Sequence, residues 1–165
     1  MSAARVLRHL FAETLARRHF PATTLAAIQA AIAAGEQSHH GQLCFAIEGG
    51  LPLAEVWNGR TPRARAQHAF AHLRVWDTSR NSGVLIYVLL ADHAIEVVAD
   101  RGIAARVQQD EWQALCEHLR ERFAAGDYER GAIDAVVAAS AILAREFPSD
   151  GSPRDNELSD APVIL

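Results

Sequence analysis

No lysine occurs in this chain of 165 residues; all 16 basic side chains are arginine. That absence excludes a Schiff-base lysine, a lysine nucleophile and the lysine of a phosphate-binding P-loop. Cysteine is scarce. Cys44 and Cys116 lie far apart, each inside an apolar segment, and read as small buried hydrophobes without zinc or redox spacing. No apolar run approaches the ~20 residues that a membrane span requires. The net charge of −4 gives no general attraction to nucleic acid or to anionic lipid. The first twenty residues, MSAARVLRHLFAETLARRHF, read as an arginine-bearing amphipathic helix with Glu13 inside it. They lack the continuous apolar stretch and cleavage site of a secretory signal, so a cytoplasmic protein is expected. Gly49-Gly50 lacks the third glycine of a dinucleotide loop, and no acid sits at the ribose-binding spacing. No nucleotide cofactor is therefore expected.

What is present is a strong core signal. Half of the residues are hydrophobic, and the length suits one domain burying roughly 70% of its unfolded surface. Residues 1–147 read as that domain and residues 148–165 as a polar tail with an apolar tip. Within RVWDTSRNSGVLIYVLLADHAIEVVADRG, an apolar run from Val84 to Ala91 is followed by Asp92-His93 and a second run from Ala94 to Ala99. Two runs so tightly joined predict a β-hairpin, and an unbroken apolar run predicts a strand covered on both faces.

Helices are expected over about 3–18 (stripe Val6, Leu7, Leu10, Phe11, Leu15, with Ser2 as cap), 24–36, from Thr61-Pro62 onward, from near Asp110, and over 128–146. The third carries Ala66, Ala69, Phe70, Leu73 and Trp76 inward, and the fifth Ile133, Val136, Val137 and Leu143. Leu43 to Glu48 is the first strand, and a short edge strand is expected around Glu55 to Trp57. The order makes strands one and two parallel and strand three antiparallel. The expected fold is α/β: a three-layer α/β/α sandwich around a mixed sheet of three to four strands. The tail is expected to be mobile over 148–157, with Leu158 and Val163 to Leu165 docking as an anchor.

The strings LAAIQAAIAAGEQSHHGQLCFAIE and WDTSRNSGVLIYVLLADHAIEVVADRGIAARV, followed by two closing helices, resemble the TPM domain family. That family takes its name from a thylakoid-lumen protein, a photosystem II repair protein and an ion-channel modulator. The resemblance covers most of residues 21–147, and the ending NELSDAPVIL is similar to that of a short bacterial branch. It implies an α/β/α sandwich, binding of cations, calcium in particular, and in some members a weak acid-phosphatase activity. This chain departs from the pattern at three points. Gln42 stands where a Glu is frequent, Asn81-Ser82-Gly83 where Asp-Asn-Gly is frequent, and Asp100 where glycine is frequent.

The topology gathers Gln42, Asp77, Asn81, Asp100 and Arg101 at one end of the sheet. Carboxylate and amide oxygens suit a hard cation, Ca²⁺ or Mg²⁺, so Asp77, Asn81, Asp100 and Gln42 are the candidate metal ligands. Arg74 and Arg101 are candidate anion-binding groups beside them. The plain alternative is that Asp77 caps its loop and Asp100 pairs with Arg74 or Arg101. His68 and His72 share a helix face, but a zinc site needs further ligands, and the pair reads as solvated. His39-His40 reads as local hydrogen-bonding groups. Glu48 and Asp92, at the opposite sheet end, either form a second small site or, on the plainer reading, cap strand ends in solvent. Two function classes follow: a cation-binding accessory module without turnover, or a weak metal-assisted phosphatase. A purely structural interaction domain is the third reading. The sequence leaves a protein partner and the oligomeric state open.

Overall fold

A computed structural model describes residues 3–152 and 155–165. The order is α1 (Ala3–Phe11), α2 (Glu13–His19), α3 (Ala22–Gly35), β1 (Gln42–Glu48), α4 (Leu53–Trp57), α5 (Pro62–His72), β2 (Gly83–Leu89), β3 (Ala94–Ala99), α6 (Arg101–Ala104), α7 (Gln109–Ala124), α8 (Tyr128–Glu146) and β4 (Val163–Ile164). The sheet runs β3-β2-β1-β4, with β1 parallel to β2 and β4, and β3 antiparallel to β2. Every residue of β1 and β2 is buried. Their side chains alternate between two cores, as the two-residue period of a strand dictates. Leu43, Phe45, Ile47, Val84, Ile86 and Val88 face the layer built from α3, α7 and α8. Cys44, Ala46, Leu85, Tyr87 and Leu89 face Val56, Ala66 and Ala69 of α4 and α5. The chain is thus an α/β/α sandwich around a four-stranded mixed sheet.

Several local expectations are corrected. The first helix is divided at Ala12, which is itself fully buried; α2 then turns Ala16 and Phe20 into the core. The single apolar stripe cannot bury as one face across that break, and Leu7, Leu10 and Phe11 stay 57%, 51% and 71% exposed. The proposed Ser2 cap lies outside the described residues. Residues 53–57 form a helical turn after Pro52 instead of an edge strand, and Trp57 points outward. Trp76 lies beyond the end of α5 and is half-exposed. In α8 the buried line is Ala132, Ala135, Val136, Ala139 and Leu143, which leaves Val137 off the stripe and exposed. Thr61 does cap α5, its hydroxyl accepting from the Ala64 N–H, with Pro62 at the first helical position.

β2 ends at Leu89. A 3₁₀ turn over 90–92 and His93, at φ +50°, reverse the chain into β3. The tail is tied down over much of its length. His39 bridges to Pro148, and the Ser149 N–H donates to the Ser38 carbonyl. Leu158 packs on the α5 side of the sheet, β4 pairs with Ala46 and Ile47, and the Leu165 N–H donates to the Ile47 carbonyl. The apolar tip docks on the sheet, and of the stretch expected to be mobile, Pro148, Ser149, Asp150 and Glu157 have partners on the domain while residues 153 and 154 lie outside the described residues.

Candidate functional site

The site end of the sheet is set by register. Gln42 lies opposite Gly83, Val84 lies opposite Ala99, and the Asp100 N–H donates to the Gly83 carbonyl. The loop between α5 and β2 folds over this end, and two glycines permit it. A Cβ on Gly83 would stand 1.9 Å from the Val75 carbonyl oxygen, and one on Gly102 would stand 2.5 Å from that of Asn81. Asn81 takes φ +51°, a left-handed conformation that asparagine tolerates better than most residues. The Ser82 N–H is held by the buried Thr78 hydroxyl.

Trp76, Asp77, Thr78, Asn81, Asp100 and Arg101 line one open depression of about 420 Å³. Four of the residues named from sequence therefore meet there. Their present partners are specific. Asp77 is paired with Arg74, and both are exposed. Asn81 Oδ1 accepts from Nε and Nη2 of Arg101 at 3.1 and 3.0 Å. Asp100 Oδ1 accepts from the Arg101 N–H at 2.7 Å and caps α6, so Asp100 does not pair with either arginine side chain. Asp100 Oδ2 is buried and has no hydrogen-bond partner. Gln42 is turned to another use. Its Oε1 accepts from the Glu157 and Leu158 N–H groups, both at 3.0 Å, which ties the tail to the sheet. The Glu157 carboxylate in turn accepts from the Ser79 N–H. Neither Gln42 nor Arg74 lines the depression.

Among the described residues, no group of three or more His, Cys, Asp or Glu side chains is placed to hold a metal ion. His68 and His72 stack, with ring centroids 6.2 Å apart, and His68 meets Arg65. His39 and His40 are buried and hydrogen-bond locally: His39 Nδ1 lies 3.1 Å from the Gly41 carbonyl oxygen, and His40 Nε2 lies 2.9 Å from Asp150.

The opposite sheet end holds what the sequence concealed. Glu48 and Asp92 do not cap strands in solvent. The Glu48 carboxylate accepts from Arg65 Nε at 2.9 Å and Nη2 at 2.8 Å, and from the Tyr87 hydroxyl at 2.5 Å. Burial, reinforced by Glu48, pushes the Tyr87 phenol far above its usual range. Asp92 accepts from Arg5 at 2.8 Å and lies 3.1 Å from His9 Nε2. Burial alone would raise the Asp92 pKa, but the hydrogen bonds from Arg5 and His9 hold it below its ordinary value. The signal available in the sequence was only that two acids ended apolar runs; their arginine partners come from α1 and α5.

The model of the TPM domain family matches residues 17–142. The chain belongs to the TPM domain family. A solved structure agrees: the NMR structure of BA42 protein from the psychrophilic bacterium Bizionia argentinensis shares 26% identity with this TPM domain at a TM-score of 0.73. That likeness covers 87% of this chain and 94% of BA42. Comparison with curated proteins returns no match. Among the described residues of this TPM domain, no helix is long and apolar enough to cross a membrane.

Proposed function

We propose that this TPM domain is an accessory or regulatory module of the cytoplasm that binds a divalent cation, calcium or magnesium, at the depression below β2 and β3. The observation that carries the reading is Asp100 Oδ2, a buried carboxylate oxygen without a hydrogen-bond partner, in a residue that lines that depression. A buried, unsatisfied carboxylate oxygen is costly, and a hard cation satisfies it. Asp77 and Asn81 supply further oxygen ligands from the same wall. Arg101 is exposed, so it can leave Asn81 without unpacking the core. Gln42, committed to the tail, is no longer among the proposed ligands. The two cysteines are free and buried, in keeping with a reducing compartment.

Binding is weak on this account. Asp77 is already paired with Arg74 and Arg101 lies on Asn81, so the net negative charge is low, and calcium affinity scales with ligand charge. A Kd on the order of 0.1–1 mM is expected. No activated nucleophile and base are paired at the depression, which favours binding over turnover. The test is calorimetric titration of calcium and of magnesium, run beside hydrolysis of p-nitrophenyl phosphate. Heat that disappears in Asp100→Asn, without hydrolysis, supports the module. Cation-dependent hydrolysis lost in Asp77→Ala would replace it by the phosphatase reading, with Arg74 and Arg101 facing the phosphate. Absence of heat with either ion up to about 10 mM removes the cation site.

A further inference from the structure

The end of the sheet remote from Asp100 holds an apolar cavity of about 300 Å³, walled by Leu15, Val88, Leu90, Ile95 and Phe123. Its rim carries His19, His93, Arg120 and Tyr128. Leu15, Leu90 and His93 continue it into an open apolar groove of about 480 Å³ along α1, which adds Leu7, Phe11 and Arg8. Leu7 and Phe11, two of the three large exposed side chains of α1, therefore border this groove.

Charge identifies the occupant. This is a chain with 20 carboxylate side chains against 16 arginines. Yet no Asp or Glu lines the cavity or the groove, while Arg120, Arg8, His19 and His93 do. Arg120 is exposed and enters no ion pair among the described residues. Arg8 reaches Asp92 only at 3.7 Å and keeps half of its side chain in solvent. An apolar floor flanked by two arginines and lined by no acid is complementary to an amphiphile with a negative head, although Arg120 also borders the neighbouring depression of Glu96 and Glu117. The cavity is at the small end of ligand pockets, which run from roughly 300 to 1,000 Å³. It suits one short acyl chain, not a sterol or a two-chain lipid.

We propose that this cavity binds a single-chain anionic amphiphile as a monomer, its alkyl chain against Leu15, Leu90 and Phe123 and its head at Arg120. This site is separate from the cation site and does not depend on it. The test uses the full chain and decanoate below its micellar concentration, followed by calorimetry and ¹H–¹⁵N spectra. Saturable one-to-one binding is expected, with shifts at Leu15, Leu90, Ile95 and Phe123. Affinity should fall by up to about fourfold per methylene on shortening to octanoate. Arg120→Glu, on an exposed position, should leave the melting temperature unchanged and weaken decanoate about tenfold. Decyltrimethylammonium should bind at least tenfold more weakly than decanoate. Equal binding of the two amphiphiles, or no effect of Arg120→Glu, overturns the anionic head assignment. Absence of decanoate binding overturns the site, and retention on phosphatidylglycerol vesicles in that case would assign the face to a membrane surface.

Discussion

Replacing Arg65 by alanine is the perturbation that the buried polar cluster makes most severe. The Glu48 side chain is 4% exposed and that of Arg65 15%. Two guanidinium N–H groups at 2.8 and 2.9 Å and the Tyr87 hydroxyl satisfy this carboxylate. The Arg65 pKa is raised, chiefly by its hydrogen bond to Glu48, so the guanidinium stays charged. In Arg65→Ala, Glu48 keeps only Tyr87 and becomes an uncompensated buried charge. Such a loss costs about 3–5 kcal/mol, against a total stability of about 5–15 kcal/mol for a domain. At about 2–4 °C per kcal/mol for this size, the melting temperature should fall by roughly 6–20 °C. Tyr87→Phe keeps the ion pair and should cost only about 1.5–3 kcal/mol. The double variant Arg65→Met with Glu48→Leu removes both charges, and it should recover most of the loss, because a packed apolar pair replaces a buried ion pair at little cost. Thermal and urea unfolding followed by circular dichroism would measure all three. An Arg65→Ala loss below about 1 kcal/mol, the size of an exposed surface pair, would refute this account of Glu48.

Asp92 gives a pH signature. Its folded pKa lies below the ordinary value, so its contribution to stability is complete above about pH 4 and is lost as the pH falls through the folded pKa. Arg5→Ala should lower stability at pH 7 by about 1–3 kcal/mol and flatten the acid limb of a stability–pH profile. Burial raises the Cys44 and Cys116 thiols to about 11, so neither should react with a disulfide reagent at pH 8 in the native state, and both should react in denaturant. Deleting residues 158–165 removes β4 and the Leu158 contact and should cost about 2 kcal/mol or more in urea unfolding, whereas an unchanged midpoint would mean that the anchor holds nothing.

The sheet end that gathers the candidate residues was legible because it depends on chain order alone. An apolar run, a two-residue break and a second run fix a hairpin, and a helix between two strands makes them parallel, which brings residues 42, 83 and 100 together. The choice of partner was not legible. Asp77, Asn81 and Arg101 each had several neighbours within reach, and the loop conformation at Arg74 and Asn81, both with positive φ, decides among them. The tie from Gln42 to the tail was hidden for a different reason: its partners are backbone N–H groups 115 and 116 residues away. Glu48 looked like a solvent cap because helix periodicity says nothing about which arginine of α5 turns toward a strand end. The break at Ala12 was hidden by an uninterrupted amphipathic pattern. Tertiary packing of Ala12, Ala16 and Phe20 overrides that pattern.

A calcium titration followed in ¹H–¹⁵N spectra of the labelled protein probes the proposed cation site at Asp100 residue by residue. Saturable shifts of the Thr78, Asn81, Asp100 and Arg101 amides, whose residues line the depression, are expected, and none in Asp100→Asn. Unmoved amides at these four positions, or the same shifts persisting in Asp100→Asn, would contradict it.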